Sequence, residues 1–208
     1  MDTNQIIYLI GETNFIVDLG YHQDKNVTYL FDLVLAGRIN LVVPELSLHE
    51  MWGVFTKKSK KRLDLSIAIK EEANQMKRSD HGLILSEQMK NIGKLIEESV
   101  NKDKEIIDGF IQSIKEVSII IPYTTEIHKN AFLMTLNGLY GLTEPDASIY
   151  ESINAFVKEN NGVRIHLNKN TKDFDKDIIH KEMNEFGAEL YFDSGNVIKR
   201  VGELLNKK

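Results

Sequence analysis

Four short polar stations mark this chain, each just past an apolar run that reads as a buried strand. They are Glu12 in Ile10-Gly11-Glu12-Thr13-Asn14, Glu50 in Val43-Pro44-Glu45-Leu46-Ser47-Leu48-His49-Glu50, Asp146 in Thr143-Glu144-Pro145-Asp146-Ala147, and the run Asn168-Lys169-Asn170-Thr171-Lys172-Asp173-Phe174. Open α/β sheets bind ligands outside the carboxyl ends of their strands. Carboxylates distant in sequence that converge there make an oxygen site for a hard cation, which points to phosphodiester chemistry.

The elements that must carry these stations follow from apolar patterning. Ile6–Ile10, Ile39–Val43, Ser118–Ile121, Val163–Leu167 and Glu189–Phe192 read as strands, two of them stopped by Pro44 and Pro122. Between them, Val27–Ala36 has helical spacing with Gly37 as its C-cap, and Glu45 to Phe55 is helical with Leu46, Trp52 and Phe55 as core residues. Thr125–Leu136, a helix capped by Thr143 and ending at Asn161-Gly162, Asp175–Phe186, and a last helix capped by Ser194 complete the set. Strands alternating with helices imply a parallel sheet covered on both faces. From Lys57 to Val117 the pattern is helical throughout, with a break around Ser79–Gly82. Ile92, Leu95, Ile96, Val100, Ile107, Phe110, Ile111 and Ile114 form an amphipathic face there. The expectation is one α/β domain over residues 1–208, with a helical insertion at 57–117.

Composition narrows the function. Absence of cysteine removes disulfides, thiolate metal sites and thiol nucleophiles together. No apolar run approaches the roughly 18 residues of a membrane span, and the N-terminus lacks a signal-peptide pattern, so a cytoplasmic location is expected. A net charge of −5 argues against a protein that coats nucleic acid generally. It leaves room for a nuclease, whose metal pocket is itself acidic. The six histidines are scattered, without a His-Glu-x-x-His pair, and no Walker-type loop or Gly-x-Ser-x-Gly elbow occurs.

The four stations, in this order, resemble the PIN-domain family of metal-dependent ribonucleases. Glu12-Thr13-Asn14 stands where that family has an Asp-Thr-Asn type motif after its first strand. Glu50 lies on the helix that follows a strand ending in Val-Pro, Asp146-Ala147 opens a helix, and Leu167 to Phe174 is similar to a Leu-Thr-x-Asp-x-x-Asp-Phe pattern. The resemblance implies a three-layer α/β sandwich with a central parallel sheet of about five strands. It implies Glu12, Glu50 and Asp146 as catalytic residues and, with Asp173, as ligands of Mg²⁺ or Mn²⁺. Asn14, Asn168 and Asn170 would contact substrate. The implied activity is hydrolysis of single-stranded RNA, in a toxin, RNA-processing or defence role. Two positions depart from the pattern: Glu12 is one methylene longer than the usual Asp, and Asn170 is neutral where an acid is usual.

Plainer readings stand beside these. Asp146 also fits a capping box with Thr143, and capping competes with metal binding for the same oxygens. Asp173, Asp175 and Asp177 suit a helix start. Lys57, Lys58 and Lys60 belong to a basic run that grips RNA phosphates on one reading and is a solvated helix face on the other. A second function class is a catalytically impaired module that binds a protein partner, or a second copy of itself, through the helical insertion. A receiver-like domain is a weaker third, because Glu12 lacks an acidic neighbour and Ile121 is followed by Pro122.

Overall fold

The computed structural model describes residues 6–206, so the first five and last two residues of the expected span lie outside it. The chain forms two compact units. One comprises the residues up to Met51 together with those from Ser113 onward, and the other is Trp52–Gln112.

The first unit is built on a five-stranded parallel sheet of order β3-β2-β1-β4-β5, with β1 at Ile7–Gly11, β2 at Asn40–Pro44, β3 at Ser118–Ile121, β4 at Val163–Leu167 and β5 at Ala188–Tyr191. Every residue of β1 is buried, as expected of a central strand covered on both faces. The sheet and its flanking helices establish the three-layer α/β expectation. Around β1 the helices are α1 (Thr13–Gly20), α2 (Lys25–Leu35) and the start of α3 (Glu45–Met76); α5 (Thr125–Asn137) and α6 (Asp146–Glu159) precede β4. A single turn, α7 (Thr171–Phe174), then α8 (Asp177–Glu185) and α9 (Ser194–Leu205), complete the unit. Tyr150, Ile153, Phe174, Ile179 and Met183 are fully buried in a core cluster that includes Ile10 of β1 and Val42 of β2. Each such side chain contributes about 1.5–3 kcal/mol.

Several boundaries differ from the sequence reading for local reasons. Helix α1 lies outside the expected elements; it packs Phe15, Ile16 and Leu19 into the core directly behind the first polar station. Helix α2 ends as expected, with Gly37 in the left-handed region at φ 65°. Thr143 does not cap α6: Pro145 holds that position and no side-chain cap bond forms. The helix expected at Asp175–Phe186 runs from Asp177 to Glu185: Lys176, with extended backbone, is its N-cap, and its Nζ donates to the carbonyls of Tyr140 (2.9 Å) and Gly141 (3.1 Å). At α9 the cap is Asp193, which accepts from the Asn196 amide at 2.9 Å, rather than Ser194.

In the second unit, α3 and α4 (Leu83–Val117) are joined through a 3₁₀ turn at Asp80–Gly82, where the sequence pattern breaks. Their seam is made of small residues. Ser66 Oγ donates to the Gly93 carbonyl (2.8 Å) and Ser86 Oγ to that of Ala73 (2.6 Å). The ion pairs Arg62–Asp103 and Lys70–Glu97, both at 2.6 Å, flank it. Only part of the expected amphipathic face is buried: Val100, Ile107 and Ile111 are, whereas Ile92 and Leu95 stay about half exposed because Ser86 and Gly93 occupy the seam at that level. Among the described residues no helix is long and apolar enough to cross a membrane.

Candidate active site

The sheet order places β1 between strands that the chain adds in opposite directions: β2 and β3 on one side, β4 and β5 on the other. The crevice at the carboxyl ends of β1 and β4 is therefore the topological switch point, where open α/β sheets carry their ligand sites. Register aligns the two strands residue by residue, ending at Gly11 opposite Leu167. Glu12 and Asn168, the next residues, leave the sheet side by side. A Cβ at Gly11 would lie 2.8 Å from the Phe15 ring, so the turn into α1 closes only with glycine there.

Glu12 is 5% exposed, and its Oε1 has no hydrogen-bond partner among the described residues. Burial raises its pKa to about 7; hydrogen bonds from the Asn14 amide and side chain and from the Lys169 amide pull it back, and the Glu50 carboxylate pushes it further up. Glu50 is half-buried on α3, and its Oε2 accepts from the hydroxyl of Thr13, the residue beside Glu12. Asp146 opens α6 with its pKa raised to about 6, first by burial, then by the Glu50 and Asp173 carboxylates, against a lowering by Lys176. Repulsion among the acids thus acts as expected, but burial is the larger cause at both Glu12 and Asp146. With no cap bond formed, the capping-box reading of Asp146 does not hold.

The fourth station folds as a turn. Asn168 is fully buried, its Oδ1 accepts from the Asn170 amide at 2.7 Å, and its Nδ2 has no partner among the described residues. That places Asn170 between two acids: its Nδ2 donates to Asp173 Oδ2 at 2.9 Å and to Asp146 Oδ2 at 3.3 Å. Behind the turn, Lys169 Nζ donates to Asp18 and Asp24, both at 2.5 Å, and Asp24 also accepts from the Ser194 hydroxyl at 2.8 Å. This clamp joins α1, α2, β4 and α9, and motif reading missed it because its members are far apart in sequence. His166, one strand residue before Leu167, is fully buried against the Phe174 ring with its pKa pushed down to about 3 by burial, so it is a packed histidine.

Glu50 therefore acts electrostatically on both Glu12 and Asp146, and Asp173 on Asp146, with Asn14 beside Glu12 and Asn170 between Asp146 and Asp173. Lys57, Lys58 and Lys60 belong to the second unit and are exposed on α3. The donor set is all oxygen, carries uncompensated negative charge and includes a buried carboxylate oxygen with no partner among the described residues, which fits a hard divalent cation. It is not a ready-made cage: among the described residues no group of three or more acidic or imidazole side chains stands at metal-holding spacing. Donors from Thr13 and Asn170 hold the acids instead.

A family model described as PIN domain matches residues 9–174, a span running from β1 to the end of the Asn170 turn. No curated protein matches significantly. Among solved structures, a chain of VapBC2 from Rickettsia felis, crystallised bound to a DNA fragment from their promoter, is similar at 13% identity with a TM-score of 0.46, over 89% of this chain and 99% of that one.

Proposed function

The chain belongs to the PIN-domain family, and from that premise we propose that it is a metal-dependent endoribonuclease acting on single-stranded RNA. The observation that carries the reading is the charge of Glu50 acting on both Glu12 and Asp146 at the switch point of the sheet, where burial and like charge raise the pKa of Glu12 and of Asp146. Glu12, Glu50, Asp146 and Asp173 would hold Mg²⁺ or Mn²⁺. Bound there, the cation supplies Lewis acidity toward a phosphodiester and its attacking water.

The remaining work falls to the protein's own groups. Thr13 fixes the Glu50 carboxylate through Oε2. Asn170 sets the spacing of Asp146 and Asp173 and, being neutral, lowers the total charge of the pocket. Lys176 tempers Asp146, and the Lys169 clamp holds the β4 turn against α1. Asn14, Asn168 and Asn170 offer amide groups to sugar and phosphate; on the second unit by itself, exposed Lys57, Lys58 and Lys60 form a basic run suited to RNA phosphates. A cytoplasmic role as toxin, RNA-processing factor or defence effector suits this chemistry.

The test is cleavage of single-stranded RNA with Mn²⁺ and with chelator, beside Asp146→Asn. Metal-dependent cleavage lost in the variant supports the reading. No cleavage by folded wild type with any divalent metal would sink it. That result would favour the second reading, a module whose acids are held by Asn170 in place of a cation and which binds partners through its helical insertion.

A further inference from the structure

We propose that the outer edge of β3 is a docking groove for an extended, basic peptide segment of a partner protein, which joins the sheet as an added strand.

Strand β3 is the last in the sheet order and pairs only inward, from Leu41 opposite Ser118 to Pro44 opposite Ile121. Among the described residues no backbone hydrogen bond covers its other side. In a parallel ladder alternate residues send both N–H and C=O the same way, so this edge presents donors and acceptors in register for another strand. Natural edges are usually blunted by lysine, proline, a bulge or a covering element. Here the strand reads Ser-Ile-Ile-Ile, and Ile119 is 43% exposed.

Beside the edge lies a cavity of about 610 Å³ bounded by β3, α5 and α6. Ile119, Ile121, Ile127 and Phe156 give it an apolar lining that suits alternate side chains of an inserted strand. Its charged wall is acidic: Glu126, Glu151 and Glu159 outweigh Lys158, whose Nζ lies 4.6 Å over the Phe186 ring. Charge decides the occupant. An acidic wall repels RNA, and pairing two copies of this edge across a two-fold axis would bring the same glutamates together. Successive side chains of a strand face opposite ways, so a strand that sets both aliphatic residues and a lysine or arginine at its every-second positions, on the face turned to the cavity, satisfies the backbone, the lining and the wall at once. None of these residues belongs to the acidic centre, so the groove stands or falls separately from the nuclease reading.

The test uses the full chain and a fluorescent short peptide with threonine at one set of alternate positions and isoleucine and lysine taking turns at the other, so that both share one face, read by anisotropy. Two controls carry the same label: the glutamate counterpart, and the basic peptide N-methylated on alternate amides. The basic peptide is expected to bind about tenfold or more tightly than either control, a difference of about 1.4 kcal/mol. Glu126→Lys with Glu159→Lys, both on exposed helix positions, and separately Ile119→Lys, should each weaken it while RNA cleavage is unchanged. Equal binding of the methylated peptide overturns the proposal, since backbone pairing is then irrelevant. So does absent peptide binding together with a concentration-dependent dimer that Ile119→Lys abolishes, which makes a second copy the occupant.

Discussion

Replacing Glu12 with glutamine should stabilise the metal-free protein, and by an amount that depends on pH. Burial holds the Glu12 carboxyl at a pKa of about 7 against an ordinary 4.5, which corresponds to roughly 3 kcal/mol of penalty on the ionised form. The sign follows from proton linkage. Below 4.5 the group is protonated in the folded and unfolded chains alike, and the penalty is absent. Between 4.5 and 7 the folded protein holds a proton that the unfolded chain releases, so stability falls as pH rises. Above 7 the full cost is present. The substituted amide would keep an acceptor for the Asn14 and Lys169 amides without the charge. Thermal unfolding in chelator at pH about 8 should therefore show Glu12→Gln melting higher, by up to about 6–12 °C for a chain of this size. The difference should shrink toward zero near pH 4.5. Adding Mn²⁺ should reverse the order, because wild type gains more than the variant from a ligand that binds the folded state. A variant less stable than wild type at every pH, or a gap that ignores pH, would refute the argument that buried charge at Glu12 is uncompensated without metal.

Other perturbations probe the neighbouring groups. Asn170→Asp adds a charge between Asp146 and Asp173; calorimetry should show tighter Mn²⁺ binding, and unfolding in chelator should show lower stability. Thr13→Val frees Glu50 and leaves its oxygen without that donor; a cost of about 1–3 kcal/mol in urea unfolding and a fall in kcat for RNA cleavage are expected. Lys169→Met leaves Asp18 and Asp24 facing each other without its ammonium; denaturant unfolding should show destabilisation of about 1–3 kcal/mol, reduced in high salt, with Asp24→Asn in the same background recovering part of it. Mn²⁺ affinity measured from pH 8 down to 6 should weaken, since Asp146 and Glu12 take up protons near 6 and 7 and a metal must displace them.

The sheet was readable because its strands are short apolar runs closed by residues that cannot continue them, such as Pro44 and Pro122. Strands β3 and β4 fall on the expected residues, and the others within a residue. Local patterning failed where a distant contact overrides it. Nothing near Lys176 announces that its ammonium will reach the carbonyls of Tyr140 and Gly141 and that α8 will start only after it. The same holds for the Tyr123 amide, which donates to Glu45 Oε2 at 2.9 Å and ties the end of β3 to the start of α3. Four acids in order indicated the candidate site: Glu12, Glu50 and Asp173 lie on segments that follow β1, β2 and β4, whereas Asp146 opens α6 only after α5. What sequence could not supply is how the acids are held. The Thr13–Glu50 bond, the Asn170 bridge and the Lys169 clamp span elements whose relative placement only folding decides.

The two departures from the family pattern bear differently on the negative charge that the pocket must carry without metal: one keeps it and the other removes it. Glu12 keeps its charge and places it where burial is nearly complete, so its ionised form is costly. Asn170 removes a charge at the other end and substitutes an amide that donates to both Asp146 and Asp173. Had position 170 been acidic, Asp146, already raised by Glu50 and Asp173, would face another like charge and hold its proton to still higher pH. Neutral Asn170 thus spares the metal-free fold that repulsion. It also gives up a fifth negative charge that would strengthen attraction for a cation. Stability without metal and affinity for metal draw on the same electrostatic energy, so a substitution that raises one must lower the other. Comparing chelated stability with Mn²⁺ affinity across wild type, Glu12→Gln and Asn170→Asp should place all three on one descending line. If a variant improves both, the acids are not a single coupled site.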